Sequence, residues 1–227
     1  VAASTAIAIA VLRAFALQMG SDLAPVDLAA LAMVVEAEVM RTPTTLADVH
    51  TVVGGAPGEL FVVRGGVAER SLATPSDLEI VGLATGTAPQ ASRHGGGDAG
   101  DEARAERFLG LWQGEPADVL RRELGDVMFA AHAAYAAAGC SDAVVDLAVD
   151  EARKRRDAGG AVFGAKASGR GRGGTVVLLG PHGKVWYEAL RIKKALHAAT
   201  GHSAHVFRWS SPGACAFGAI ELRPASA

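Results

Sequence analysis

Cysteine is scarce in this chain. The 227 residues hold two, Cys140 and Cys215, far apart. Two isolated thiols make neither a disulfide framework nor a metal-ligand cluster, and they point to a reduced, cytoplasmic setting. Neither sign of charge is in excess: 22 Lys and Arg against 24 Asp and Glu leave a formal charge of −2. Such a balance gives no electrostatic reason to seek nucleic acid or an anionic membrane surface. A long uninterrupted apolar run is also missing. The opening "VAASTAIAIAVLRAFALQMG" comes nearest. No positive segment precedes it, as a secretory signal would require, and Arg13 interrupts it before a membrane span is complete. A buried helix beginning at Ser4 or Thr5 is expected instead. The chain opens without an initiator methionine inside a structural element, so a fragment, or a start assigned too far downstream, is expected. No internal repeat is visible, and nothing speaks to oligomeric state.

What is present reads as α+β. After the first helix, "SDLAPVDLAALAMVVEAEVM" predicts a second, with Pro25 in its first turn, Asp27 at its positive end and an apolar stripe of Leu28, Leu31, Val35 and Val39. Residues 41–58 read as turns, and two strand patterns follow, "GELFVVRGGVAER" and "DLEIVGLATG". Residues 86–103 are rich in Gly, Ser and Asp, and three long helical patterns come after them. The last third alternates strand "GTVVLLG", helix "YEALRIKKALHAATG", strand "HVFRW", loop "SSPGACAFG" and strand "AIELR". A strand–helix–strand unit with a further strand suggests a split βαβ, ferredoxin-like layer. The break in composition near residues 80–100 divides two expected lobes, 1–80 and 81–227.

Several short stretches could carry chemistry. A turn of small residues running into the apolar helix at "VAASTAIAIA" puts backbone N–H groups and a hydroxyl at a positive helix end. That suits a phosphate; plain N-capping by Ser4 is the alternative. Glu36 and Glu38 sit late in an apolar helix and Asp48 follows in a turn. One carboxylate near phosphate could hold Mg²⁺ and another could deprotonate an attacking hydroxyl, or all three are solvated or turn-forming. Periodicity does not choose between the two glutamates. The glycines of "GAKASGRGRGGTVVLLG", at 164, 169, 171, 173 and 174, precede a strand and open no helix, and no Gly-Lys-Ser/Thr triplet is present. A dinucleotide or P-loop fingerprint therefore fails on context. A loop against an active site, or a bend between strands, remains.

Taken in order, these stretches resemble the GHMP kinase superfamily, galactokinase and L-arabinokinase branch. "VAASTAIAIA" is similar to the distal half of its phosphate loop, and "MRTPTTLADVH" to the segment that ends in its catalytic aspartate. "SRHGGGDAGDEAR", "GDVMFAAHAAYAAAGCSDAVVDLAV", "GAKASGRGRGGTVVLL" and "SSPGACAFGAIEL" resemble later family segments in the family's order.

The resemblance implies a two-lobe GHMP kinase fold: an incomplete N-lobe like ribosomal protein S5 domain 2, and a ferredoxin-like C-lobe. It implies ATP and Mg²⁺, and transfer of the γ-phosphoryl group to a monosaccharide hydroxyl, the anomeric one. It places the catalytic role on Asp48 and selects Glu36, with Ser4, as metal ligands. Ser4, Thr5, Gly169, Gly171 and Gly173 would bind ATP, and Asp48, Arg93 and His94 the sugar. Arg170 and Arg172 stand where the family usually has glycine, and one of them facing an anion or both facing solvent are equal expectations. The family's first motif, a sugar-binding hairpin, would precede Val1. Ala2 and Ala3 stand where serine is frequent. A non-catalytic sugar- or nucleotide-binding or interaction protein of the same fold is the alternative.

Overall fold

The computed structural model describes residues 2–41, 45–64, 67–87, 100–169, 174–208 and 210–220. The chain divides into two compact units. One comprises Ala2–Thr74 together with the chain after Arg208, and the other Pro75–Arg208. The division falls after Thr74 where the sequence suggested residue 80, and the last segment groups with the first unit.

In the first unit, helix α1 (Ala3–Gln18) is followed by α2 (Pro25–Val34), with Pro25 in its first turn as expected. A single π turn, Val35–Val39, extends α2 and is closed by the Met40 N–H on the Val35 carbonyl at 2.9 Å. The stripe expected on this helix is not the buried one. Leu28 is buried, but Leu31 is 40% and Val39 74% exposed, whereas Ala29, Ala32 and Glu36 are buried. The helix is apolar on most sides, so hydrophobicity alone could not show which side faces inward.

Helix α3 (Leu46–Gly54) occupies the stretch expected to be turns. Thr45 and Asp48 form its capping box, a signature in which the N-cap hydroxyl and the third helical residue satisfy each other's backbone N–H. Ile9, Leu28, Ala29, Ala32, Val49 and Val53 make the core of this unit. Strands β1 (Glu59–Arg64) and β2 (Val67–Ala73) form an antiparallel hairpin with an irregularity at Val62/Val63. From the C-terminal segment a short helix, α8 (Ala214–Phe217), comes where a loop was expected. The Gly213 N–H donates to the Gly55 carbonyl at 2.7 Å, and a Cβ on Gly213 would press into the backbone of Val53 and Gly55. Ala219 and Ile220 lie outside any strand, and the rest of the predicted last strand is outside the described residues.

The second unit contains β3 (Leu78–Ala84), three helices α4 (Asp101–Trp112), α5 (Asp118–Ala137) and α6 (Ala143–Asp157), then β4 (Gly164–Ser168), β5 (Thr175–Pro181), α7 (Val185–Thr200) and β6 (His205–Phe207). The strand order is β4-β5-β3-β6, with every neighbouring pair antiparallel. It follows that β3 and β4 run parallel with β5 between them, and β5 and β6 run parallel with β3 between them. Two crossovers, each split by a strand of the other, make the ferredoxin-like βαββαβ pattern expected from sequence.

Its core follows from helical spacing. Val145, Ala148, Val149 and Ala152 of α6 and Val185, Ala189, Ile192 and Leu196 of α7 recur at three and four residues and bury against Val81, Leu83, Val176 and Leu178 of the sheet. Strand β4, inside the glycine-bearing stretch, was not anticipated. Helix α5 lies against it so closely that a Cβ on Gly125 would overlap the Phe163 carbonyl, and one on Gly164 the Gly125 backbone. Arg121 of α5, 2% exposed, is fixed by a two-pronged pair with Asp77 at 2.8 and 3.0 Å. Among the described residues no helix is long and apolar enough to cross a membrane.

Candidate active site

Helix α1 does not start as a capped helix should. Its N-cap is Ala2, not Ser4, held at φ 49° and ψ 33° with no side-chain cap. The left-handed region costs a non-glycine residue about 1–2 kcal/mol. Ser4 thereby becomes the second residue of the helix, past the capping position, and its hydroxyl donates to Glu36 Oε2 at 3.3 Å. Thr5, the next hydroxyl residue, is buried. The first-turn N–H groups of any helix lack intrahelical acceptors and carry its positive dipole end, so this end favours an anion.

The π turn sets the two glutamates apart. Glu36 is fully buried beside Ser4, while Glu38 is exposed. π turns within helices are frequent at functional positions, where the added residue per turn re-aims side chains. Periodicity could not separate the two acids for that reason.

Asp48 is half-buried at the start of α3. Its Oδ2 accepts from the Thr45 hydroxyl at 2.7 Å and from the Thr45 N–H at 3.3 Å, and its own N–H donates back to Thr45 Oγ1 at 3.0 Å. Both acceptor bonds fall on Oδ2, leaving Oδ1 uncommitted among the described residues.

In the second unit, Gly169 ends β4 with φ 91°, and its carbonyl accepts the Tyr135 hydroxyl at 3.0 Å. Gly171, Gly173, Arg93 and His94 lie outside the described residues, as do Arg170 and Arg172. Of the positions singled out by sequence, the structure thus brings together Ser4 and Glu36.

Sequence reasoning missed a polar layer around the end of β4 and the start of β5. Thr85 and Thr87 follow β3, Asp142 caps α6 through Val144 and Val145 N–H at 2.9 Å each, and His132 and Tyr135 project from α5. The Ala167 N–H donates to His132 Nδ1 at 3.3 Å, so the neutral ring carries its proton on Nε2, which faces Asp146 Oδ1 at 3.2 Å. Burial pushes the His132 imidazole below its ordinary 6.5, outweighing Asp146. Burial also lowers the Lys166 ammonium on β4 and raises the Tyr135 phenol to about 12. Only Asp142, an N-cap type before an apolar run, had a signal that sequence reading could have used.

A search of known proteins finds L-arabinokinase of Arabidopsis thaliana, 30% identical over 126 residues that make up 53% of this chain. The fold is similar to that of Lactococcus lactis galactokinase, crystallised with galactose, at a TM-score of 0.71 over 96% of this chain and 14% identity. The chain has the GHMP kinase fold. The GHMP kinase fold is similar, too, to that of mevalonate kinase from methicillin-resistant Staphylococcus aureus, at a TM-score of 0.61 over 90% of this chain and 23% identity. No protein-family model matches the chain. The chain spans 12% of the arabinokinase, 66% of the galactokinase and 65% of the mevalonate kinase.

Proposed function

We propose that this chain belongs to an ATP-dependent sugar kinase that transfers the γ-phosphoryl group to a monosaccharide hydroxyl, the anomeric C1 hydroxyl of an arabinose- or galactose-type sugar. The observation that carries this reading is the Ser4–Glu36 pair, a buried carboxylate and a hydroxyl 3.3 Å apart at the start of a 16-residue helix. Both are hard oxygen donors. Among the described residues no cluster of three or more His, Cys, Asp or Glu forms a protein-only metal cage. One carboxylate and one hydroxyl, completed by phosphate oxygens and water, suit Mg²⁺. Bound there, Mg²⁺ would offset phosphate charge.

The chain's own groups supply the rest. The N-terminal end of α1, at Ser4 and Thr5, attracts the phosphates through N–H groups and dipole. Asp48 orients the sugar hydroxyl and accepts its proton on Oδ1 as the hydroxyl oxygen bonds to the γ-phosphorus and the bond to the β,γ-bridging oxygen breaks, releasing ADP. Gly169, Gly171 and Gly173 let backbone approach the phosphates, and Arg93 and His94 contact the sugar. Positioning and charge neutralisation provide most of the rate.

The capping box favours a second reading, a non-catalytic sugar- or nucleotide-binding protein, because it gives the Asp48 carboxylate a structural task. ATP consumption across a panel of monosaccharides, arabinose and galactose included, separates the two. Asp48→Asn keeps an oxygen for Thr45 to donate to but cannot take a proton at neutral pH. Turnover is expected to fall at least about 100-fold while the thermal midpoint stays within about 2 °C. Unchanged turnover would leave Asp48 a helix cap.

A further inference from the structure

Thr45 and Asp48 are joined by three hydrogen bonds, and only two of them cap a helix. In a capping box the N-cap hydroxyl oxygen accepts the N–H of the third helical residue, whose side chain accepts the N-cap N–H in return. Here those bonds run from the Asp48 N–H to Thr45 Oγ1 at 3.0 Å and from the Thr45 N–H to Asp48 Oδ2 at 3.3 Å. The third runs from the Thr45 hydroxyl to the same Oδ2 at 2.7 Å. It satisfies no backbone group of α3, yet it is the shortest. A hydroxyl proton given to a carboxylate at that distance makes a charge-assisted bond.

The acid of this box also differs from the ordinary one. Glutamate or glutamine usually fills the third position, and aspartate has a shorter arm. Reaching back to Thr45, that arm brings its carboxylate against the threonine side chain. The backbone beneath is fixed. Val49 is fully buried in the core of its unit, and its N–H closes the first turn on the Thr45 carbonyl at 3.1 Å. What freedom Asp48 keeps lies in the two side-chain dihedrals that aim its carboxylate. Bonds from an N–H and an O–H to one oxygen restrain both. Oδ2 is held, and Oδ1 is the oxygen left to act.

We propose that Thr45 is a positioning residue for phosphoryl transfer, its hydroxyl fixing the Asp48 carboxylate so that Oδ1 meets the sugar hydroxyl. This rests on the kinase reading, in which Asp48 takes the sugar's proton. Thr45 touches no substrate. The sugar proton passes to Oδ1 while the threonine proton stays on Oγ1, so the contribution of Thr45 to the rate is orientation.

The test compares turnover and thermal midpoint for the protein, Thr45→Ser, Thr45→Gly, and Thr45→Gly combined with Asp48→Asn. Glycine caps a helix nearly as well as threonine but has no hydroxyl. Thr45→Gly is expected to lower kcat roughly tenfold or more. KM for ATP and for the sugar should stay within about twofold, the pattern of an interaction used only in the transition state. The midpoint should stay within about 4 °C. Thr45→Ser, which keeps the hydroxyl, should hold kcat within about twofold. Beside Asp48→Asn, Thr45→Gly should change turnover by less than about twofold, because Thr45 acts through Asp48. A helix cap alone predicts wild-type kcat in Thr45→Gly, and that result would overturn the proposal while the kinase reading stands. Equal losses in Thr45→Ser and Thr45→Gly, or an undiminished loss beside Asp48→Asn, would overturn it as well. No ATP consumption with any sugar of the panel would remove the kinase reading and this role with it.

Discussion

At Ala2 two opposing effects of a single methyl group can be weighed. The left-handed start of α1 costs alanine about 1–2 kcal/mol, whereas glycine there would free the unfolded chain by about 0.4–1 kcal/mol. The first is larger. Ala2→Gly is therefore expected to raise the thermal midpoint by about 2 °C, and a lowered midpoint would show that the helix start carries no strain. The same backbone turn carries Ser4 past the capping position to meet Glu36. Sequence made both residues candidates through family likeness, but it could not tell that a π turn buries Glu36 and exposes Glu38. An i→i+5 bond leaves no composition signal.

Among the elements, α5 stands out for how it meets β4, which lies at the edge of the sheet among the described residues. Gly125, His132 and Tyr135 lie at intervals of seven and three, on one helix face, and meet Gly164, Ala167 and Gly169 in order. Such an edge would otherwise offer backbone groups to another chain. Gly125→Ala gains about 1 kcal/mol in helix propensity, yet its Cβ would overlap the Phe163 carbonyl, and overpacking against backbone costs about 1–3 kcal/mol or more. Net destabilisation is expected, read as a lower denaturant midpoint; a rise would mean that the helix can shift off the strand. Elements with strong periodicity were legible in sequence: α6, α7, β3 and β5 all lie where they were expected. Strand β4 was hidden because "GAKAS" has none of the β-branched residues that mark strands, its small side chains being required by α5. Helix α3 was hidden because its capping box sits among Thr and Pro residues that read as turn.

For the molecule as a whole, His132 links folding to pH. Asp146 and Asp150 of α6 and Lys166 of β4 face it, and burial keeps it neutral below its ordinary 6.5. The unfolded chain then binds the proton more readily than the folded one. The stability His132 confers is complete above about 6.5 and lost as pH falls through its folded value. Urea midpoints are expected to drop between pH 7 and 5.5, and His132→Gln, a neutral acceptor, should flatten that drop. An equal drop in both proteins would assign it to other groups.

The Gly213–Gly55 contact has a consequence in time. The unit spanning Pro75–Arg208 is continuous, so it can fold as soon as it leaves the ribosome. The other unit cannot close when Ala2–Thr74 emerges, because the segment bearing Gly213 is still unmade. At about 5–20 residues per second it waits on the order of ten seconds. During that interval Ile9, Leu28, Val49 and Val53, the residues this unit buries, belong to an unfinished core. The nascent chain is thus open to chaperone capture until the segment bearing Gly213 has been added.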